Sequence, residues 1–275
     1  MNPVISLLFY PFIACLILTG IHAYLGLHVV ERGVIFVDLS LAQIAALGAT
    51  IAFLAGYDLH SRASYFFSLG FTILGAALFA ITRFEKKRIP QEAFIGIVYA
   101  VSAAASILIV DRAPEGTEHI KYILVGNLLA VTPMEVLKMA GLYSVIGLAH
   151  WLWRKPLLAV SLDPQKASEE GLSVRFWDFI FYGTFGFVVT SSVAIAGVLL
   201  VFSFLIVPSV TAMLFSEKVG TRLWIGWAMG FLVSGAGMIA SYFLDTPTGA
   251  TVVVVFGAAL LISLALSKMP RTAFR

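Results

Sequence analysis

The sequence predicts an all-α fold, a polytopic bundle of transmembrane helices. Hydrophobic residues make up 60% of the 275 residues and charged residues only 12%, so most of the chain cannot face water. Apolar stretches of about twenty residues, the length at which an α-helix crosses a bilayer, recur from end to end. The longest polar stretches, 111–121 and 161–175, are too short to bury a core of their own. We therefore expect residues 1–275 to form a single transmembrane domain.

Nine apolar segments follow one another along the chain. They cover residues 4–30, 34–56, 64–83, 93–111, 134–153, 177–192, 194–215, 222–243 and 250–267. No positive charge precedes the first segment and no small-residue cleavage pattern follows it, which favours a retained helix over a signal peptide. Only the polar break Thr190-Ser191-Ser192 separates the sixth segment from the seventh. This pair forms either two spans or one span with a re-entrant half-helix, so the count is eight or nine.

Basic residues between the segments predict the orientation of the bundle. The most basic short loop contains Arg83, Lys86, Lys87 and Arg88. The positive-inside tendency places this loop in the cytoplasm, and alternation then puts 111–121 outside and 154–175 inside. With nine spans the N-terminus is outside and the C-terminus is cytoplasmic. Because orientation accounts for the basic residues, the net charge of +3 indicates no nucleic-acid partner.

Residues 161–175 are predicted to contain a short cytoplasmic helix. Asp163 suits its N-cap, Pro164 its first position and Gly171 its C-terminal stop. The residues between these signals are Gln165, Lys166, Ala167, Ser168, Glu169 and Glu170. Such a capped helix between two spans either docks a partner protein or serves as a solvated linker, and the residues alone leave both interpretations open.

Two features of the sequence limit the kinds of site that the chain can contain. The chain contains no GxxxxGK[ST] loop, so it does not bind ATP by the phosphate-cradling mechanism, and any ATP hydrolysis needs a separate subunit. We expect no enzyme activity and no covalently bound cofactor. Its single cysteine, Cys15, excludes an intramolecular disulfide and a multi-cysteine metal site.

Candidate pathway residues lie on the first two apolar segments. Asp38 either marks a substrate path, because an uncompensated carboxylate in a bilayer is costly, or is a helix N-terminal residue favoured by the macrodipole. Ser40 and Gln43 either line the same path or hydrogen-bond a neighbouring helix. His22 and His28 lack the i,i+3 or i,i+4 spacing of a helical metal site. They either converge with Asp38 in three dimensions or form buried hydrogen bonds.

Two breaks interrupt the last third of the chain. Pro208 lies within an apolar segment and predicts a kink, because proline removes one backbone hydrogen bond. The stretch from Asp245 through Pro247 to Gly249 separates the last two segments. We expect the Asp245 carboxylate to cap the free amides of the last helix, with direct cation contact as the alternative.

Four ordered motifs resemble those of the ABC-3 family of bacterial permeases, the membrane subunits of ATP-driven zinc and manganese importers. They are Gly126–Pro133, Asp163–Gly171, Gly197–Pro208 and Asp245–Gly249. The resemblance implies a homodimeric permease in the cytoplasmic membrane, surrounded by lipid. It also implies two copies of a cytoplasmic ABC ATPase docked on the coupling helix at 163–171, and an external lipoprotein or periplasmic protein that delivers the metal.

The second apolar segment departs from this family pattern. Family members that carry zinc or manganese usually have an aspartate followed four residues later by a histidine. Here Gln43 takes that place, five residues after Asp38, where the helix has turned it away from the first face. A neutral amide is also a poor zinc ligand, so Asp38 is the remaining metal-ligand candidate. The substrate is expected to be zinc or manganese, with iron or a chelated metal open.

The alternative function is an ATP-independent secondary transporter or channel for a small ion or solute. Such a protein needs its own relay of intramembrane ionisable residues. Away from helix ends this chain offers only Asp38 and Asp178, which is sparse for a relay. A membrane scaffold without transport activity is a third class that the residues leave open.

Overall fold

The computed structural model describes residues 3–58, 61–83, 90–110 and 126–268, and within these ranges the chain is helical and contains no strand. Its α-helices are α1 (Pro3–Glu31), α2 (Val37–Leu54), α3 (Arg62–Ile81), α4 (Gln91–Val110), α5 (Pro133–Leu152), α6 (Arg154–Leu162), α7 (Pro164–Glu169), α8 (Val174–Phe215), α9 (Val219–Leu244) and α10 (Thr248–Ser267). A 3₁₀ turn, Leu128–Ala130, precedes α5. The predicted loops at 86–88 and 111–121 lie outside the described residues.

The helices confirm the predicted all-α membrane bundle. In the described ranges, seven single helices are long and apolar enough to cross a membrane, and α5 with α6, bent by 76°, supplies an eighth candidate. Eight is the lower of the two predicted counts. Segments 177–192 and 194–215 are counted as one span because both lie within Val174–Phe215, although α8 consists of two helices that meet at a kink at Gly197.

The predicted break within α8 was placed at the wrong residues. Thr190, Ser191 and Ser192 are helical, and the break is at Gly197, with φ 76° and ψ 160°. The hydroxyls of Ser191 and Ser192 donate to the carbonyls of Phe187 and Val188 at 2.8 and 2.6 Å. Polar side chains that bond back onto their own helix do not interrupt it, whereas glycine readily adopts a positive φ.

The segment before α5 packs directly against this break. The Asn127 amide donates to the Ile195 carbonyl at 3.1 Å. A Cβ atom added to Gly126, whose φ is +66°, would lie only 2.4 Å from the Ala196 carbonyl carbon. Gly126 is therefore required for the close approach of two backbones, and two motifs that are far apart in sequence form one structural unit.

Helix α1 lies against α8 and α9 through glycine contacts. A Cβ atom at Gly26 would lie 2.0 Å from the Leu205 carbonyl oxygen of α8. On α9, Gly226 and Gly230 face Ala23 and Thr19 of α1. Small residues four apart let two membrane helices approach closely, and this Gly-xxx-Gly pair does so between α9 and α1.

The predicted short helix after α6 is confirmed as α7. The Asp163 carboxylate accepts a hydrogen bond from the Lys166 amide at 3.0 Å, and Pro164 occupies the first helical position. Gly171 follows the helix with φ +86°. Ala167 is buried against the bundle. Residues 161 and 162 belong to α6, so the short helix Pro164–Glu169 covers only part of the predicted 161–175.

The predicted carboxylate cap of α10 is not formed. Pro247 occupies the N-cap position of α10, with no side-chain cap. Asp245 instead ends α9 in the left-handed conformation, with φ 50° and an exposed side chain. Its backbone amide bonds to the Ser241 carbonyl, so the residue acts through its main chain. Pro208 lies within α8 without a non-helical backbone angle, and its role as a hinge stays a prediction.

Candidate transport site

Asp38 is a buried carboxylate without an internal partner. It lies in the first turn of α2 with 1% of its surface exposed, and neither carboxylate oxygen accepts a hydrogen bond from the described residues. The amide of Phe36, at the N-cap position, bonds instead to Glu92 of α4 at 2.9 Å. Burying a polar group without a partner is costly. Hydrogen bonds within the described residues therefore do not account for a carboxylate at this position.

The remaining predicted pathway residues are buried on α1 and α2. Ser40 is fully buried and Gln43 is 9% exposed. No group of three or more His, Cys, Asp or Glu residues in the described ranges could hold a metal ion. His22 and His28 therefore do not complete a three-ligand site with Asp38 in this conformation.

Hydrogen bonds define the tautomers of the two histidines on α1. His22 Nδ1 lies 2.8 Å from the Leu18 carbonyl, which can only accept, so Nδ1 carries the proton. His28 Nδ1 lies 2.8 Å from Ser161 Oγ, whose own hydrogen is donated to the Leu157 carbonyl. Both histidines therefore present Nε2 as a lone-pair nitrogen, and neither Nε2 has a partner among the described residues.

A buried ion network lies at the end of the bundle that carries α7. The Arg32 guanidinium and the Arg83 guanidinium both bond to the carboxylate of Asp178. Arg32 Nε also donates to Ser161 Oγ at 2.8 Å, and the same guanidinium lies 4.1 Å from the ring centroid of Phe181. Arg32 and Asp178 have 1% and 0% of their side chains exposed. This network joins the segments that follow α1 and α3 to α6 and α8.

A cavity of about 620 Å³ lies at the opposite end of the bundle, between α3, α5 and α8. Its lining includes Arg62 and Tyr65 of α3, Glu135 and Lys138 of α5, and Ser191 of α8. Most of these side chains are exposed, so the cavity is accessible from outside the bundle. The lining mixes apolar surface with a few polar groups, as ligand pockets do.

Sequence reasoning missed the roles of Arg32 and Tyr143. Arg32 follows an apolar segment, where a basic residue is expected to determine membrane orientation. Nothing in the sequence indicates its bonds to Ser161 and Asp178, which lie 129 and 146 positions further along the chain. Tyr143 lies within an apolar segment, and its hydroxyl lies 3.0 Å from Ser191 Oγ and 2.6 Å from Ser192 Oγ. The one available signal was the polar triplet 190–192, which was interpreted as a helix break.

The spans and their buried polar groups define a multi-pass membrane protein built for transport. The model of the ABC 3 transport family matches residues 5–267, and the chain belongs to this family. It is a permease subunit of the inner membrane. It is 29% identical over 257 residues to the "Probable iron transport system membrane protein" of Haemophilus influenzae, covering 94% of this chain and 92% of that protein.

Further relatives extend the comparison to a second metal and to a solved structure. The chain is 25% identical over 247 residues to the manganese transport system membrane protein MntC of Halalkalibacterium halodurans, covering 90% of this chain and 82% of that one. The structure of PsaBC from Streptococcus pneumoniae in complex with Fab superposes with a TM-score of 0.77 at 23% identity, covering 94% of this chain and 90% of that chain. At that identity the similarity shows the shared fold.

Proposed function

We propose that this chain is the permease subunit of an ABC importer that moves a divalent metal cation, namely zinc, manganese or iron. The observation that carries the proposal is the Asp38 carboxylate, which is buried in α2 with both oxygens unpartnered. Intramembrane carboxylates are rare and usually mark ion pathways. Relatives named for iron and manganese transport support a metal cation as the substrate.

The coupling segment at 163–171 is proposed to contact the ATPase. Ser161 lies just before this segment and Asp178 just after it, and Arg32 bonds to both. Arg32 therefore holds both flanks of α7 against α1, and Asp178 extends the connection to Arg83 at the end of α3. A displacement of α7 would be passed to three membrane helices through this buried network.

The proposed assembly contains two copies of this chain and two cytoplasmic ATPase subunits. The family supports an ATPase and a substrate-binding protein as partners, and the external partner is proposed to be a metal-binding lipoprotein or periplasmic protein. Because α7 would meet the ATPase, the end that carries Arg32 and Asp178 is assigned to the cytoplasm. The cavity between α3, α5 and α8 then faces outward. Pro208 is proposed as a hinge within α8, and the turn from Asp245 through Pro247 to Gly249, in which Asp245 ends α9 through its main chain, as the structural link to α10.

The ion network weighs against the ATP-independent alternative. A relay would need titratable groups that are free to exchange protons or ions. Asp178, one of its two acidic candidates, is instead bound by Arg32 and Arg83. Of the two acidic candidates only Asp38 is then left, and a single carboxylate is not sufficient for a proton or ion relay.

The first test measures bound metal and metal uptake with the whole complex. Asp38→Ala should lower stoichiometric metal binding and uptake by at least about tenfold, because a ligand is lost. Glu31→Gln is the matched control, since Glu31 lies at the same end of the bundle but is paired with Arg222. If the wild type neither binds a divalent metal nor restores uptake in a host that lacks metal transport, the proposed substrate is wrong.

A second test concerns the ATPase contact. Reversing Glu169 and Glu170 together to lysine should reduce co-purification of the ATPase, because both are exposed at the end of α7. Lys155→Glu on α6 reverses another exposed charge and serves as the control. Unchanged ATPase recovery with both variants would contradict the coupling role of 163–171.

A further inference from the structure

The cavity between α3, α5 and α8 is larger than a metal ion alone requires. Its volume of about 620 Å³ lies within the range of about 300–1,000 Å³ that is typical of pockets for small organic ligands. A divalent cation with six bound waters fills roughly 200 Å³, at about 30 Å³ for each water. The cavity therefore has room for an organic molecule together with a metal ion.

The walls of the cavity offer a large apolar surface. The apolar side chains of the lining are Phe66, Met139, Leu142, Ala194 and Ile195. Such walls favour the carbon skeleton of an organic ligand, whereas a hydrated cation gains nothing from them. The surface of the cavity therefore points to the same kind of ligand as its volume.

The charged side chains of the cavity favour an anion. Arg62 and Lys138 line it, and neither side chain forms an ion pair or a hydrogen bond with another described residue. Glu135 is the one carboxylate among the described lining residues, and one of its oxygens already accepts from the Thr132 amide and hydroxyl. Two unpaired cations against one engaged carboxylate attract carboxylate or phosphate groups and repel free metal cations.

The protein does not itself provide a set of ligands for a bare ion in this conformation. In the described parts of the chain, no group of three or more His, Cys, Asp or Glu residues could hold a metal ion. Protein sites that hold zinc use three or four such ligands. A chelator would bring its own ligands into the cavity, so that the protein needs to recognise only the complex.

We infer that the cavity binds the metal as an anionic chelate, in which a polycarboxylate such as citrate surrounds the ion. The inference rests on the proposed function and names the form in which the substrate enters. Arg62 and Lys138 bind the outer carboxylate oxygens of the complex, and the apolar walls hold its carbon skeleton. Asp38 lies in the first turn of α2, at the other end of the bundle, so its carboxylate does not repel an anion in the cavity.

The test measures the binding of radiolabelled zinc and radiolabelled citrate to the purified complex. With citrate in excess, zinc and citrate should bind together in equal amounts. Zinc that binds equally well without citrate, with no citrate retained, would overturn the inference and leave the proposed function intact. Failure of zinc, manganese and iron to bind in either form would overturn both.

Charge variants separate recognition of the anion from damage to the fold. Arg62→Gln combined with Lys138→Gln should weaken zinc-citrate binding at least about tenfold, because two charge-assisted hydrogen bonds are lost. Glu135→Gln changes the charge in the opposite direction and should strengthen binding about threefold, while its side-chain oxygen can still accept from Thr132. A damaged fold would weaken binding in both variants. Equal affinity of both variants and the wild type would overturn the anion site.

Lipid composition distinguishes the chelate from an anionic phospholipid, whose phosphate group and acyl chains offer similar chemistry to the cavity. The complex is placed in nanodiscs of phosphatidylcholine alone and in nanodiscs that also contain phosphatidylglycerol. Zinc-citrate affinity should agree within about twofold between the two. If phosphatidylglycerol prevents citrate binding and stays with the complex after extraction, the cavity is a lipid site and the inference is wrong.

Discussion

Replacing Asp178 with asparagine removes the single negative charge between Arg32 and Arg83. The carboxylate is fully buried and bonds to both guanidinium groups, so the variant leaves two cations close together without compensation. Arg32 and Arg83 bond to different oxygens of Asp178, and asparagine keeps only one of these oxygens, so its amide NH₂ group faces the other arginine. Removing one partner of a buried ion pair costs about 3–5 kcal/mol, because the remaining charge stays desolvated.

The assay is thermal unfolding of the purified complex in detergent. A loss of about 3–5 kcal/mol corresponds to a Tm lowered by roughly 6–20 °C for a chain of this size. Glu31→Gln is the comparison, because the Glu31 and Arg222 side chains of that pair are 29% and 13% exposed. A partly exposed pair contributes about 1 kcal/mol or less, so its Tm should fall by less than about 4 °C.

A double variant tests the charge balance among Arg32, Arg83 and Asp178 directly. The network holds two positive charges and one negative charge, so Arg83→Gln alone leaves the neutral pair of Arg32 and Asp178. Arg83→Gln should therefore cost less than Asp178→Asn, and adding it to Asp178→Asn should restore at least about 1 kcal/mol. If Asp178→Asn is no worse than Glu31→Gln, or if the two losses simply add, the charge balance inferred for the network is wrong.

Three further variants test the backbone geometry. Gly26→Ala should reduce the yield of folded protein or lower its stability by about 1–3 kcal/mol or more, because the added Cβ would overlap the Leu205 carbonyl. Gly20→Ala is the control, since a Cβ at Gly20 meets no atom within 4 Å. Equal yields of the two variants would contradict the close contact at Gly26. Thr132→Ala should lower Tm, because loss of the capping box of α5 costs about 1 kcal/mol, and an unchanged Tm would contradict the role of the cap. Asp245→Gly should raise Tm slightly, since glycine tolerates φ 50° without strain, and a lower Tm would show that the carboxylate has a role.

The sequence was sufficient for the architecture wherever one local signal determined the structure. Apolar length predicted the membrane helices, and the Asp163, Pro164 and Gly171 signals predicted α7 and its caps. Local signals failed where two outcomes were possible for the same residues. The triplet 190–192 could interrupt a helix or bond back to it, and only its hydroxyl hydrogen bonds show the second outcome.

The candidate site was harder to predict from the sequence, because its geometry depends on contacts between residues that are far apart in the chain. Asp38 and His22 were recognisable as polar groups in apolar segments, but no pattern shows that Asp38 lacks a partner or that His22 faces Tyr143. Arg32 looked like an orientation signal, and its bonds to Ser161 and Asp178 join residues more than 100 positions apart. Pairings of this kind are set by tertiary packing of the helices.

Helix α8 connects the two ends of the proposed transport site. Its first part carries Asp178 at the coupling end and Ser191 at the cavity end, with no non-helical residue between them. Thirteen residues of α-helix separate these groups by about 20 Å along a stiff rod. The break at Gly197 comes after both, so movement of Asp178 would reach the serines that hold Tyr143 before it could be absorbed by the break. Asp178→Asn should therefore lower metal uptake by the complex as well as stability, an effect that independent ends would not produce.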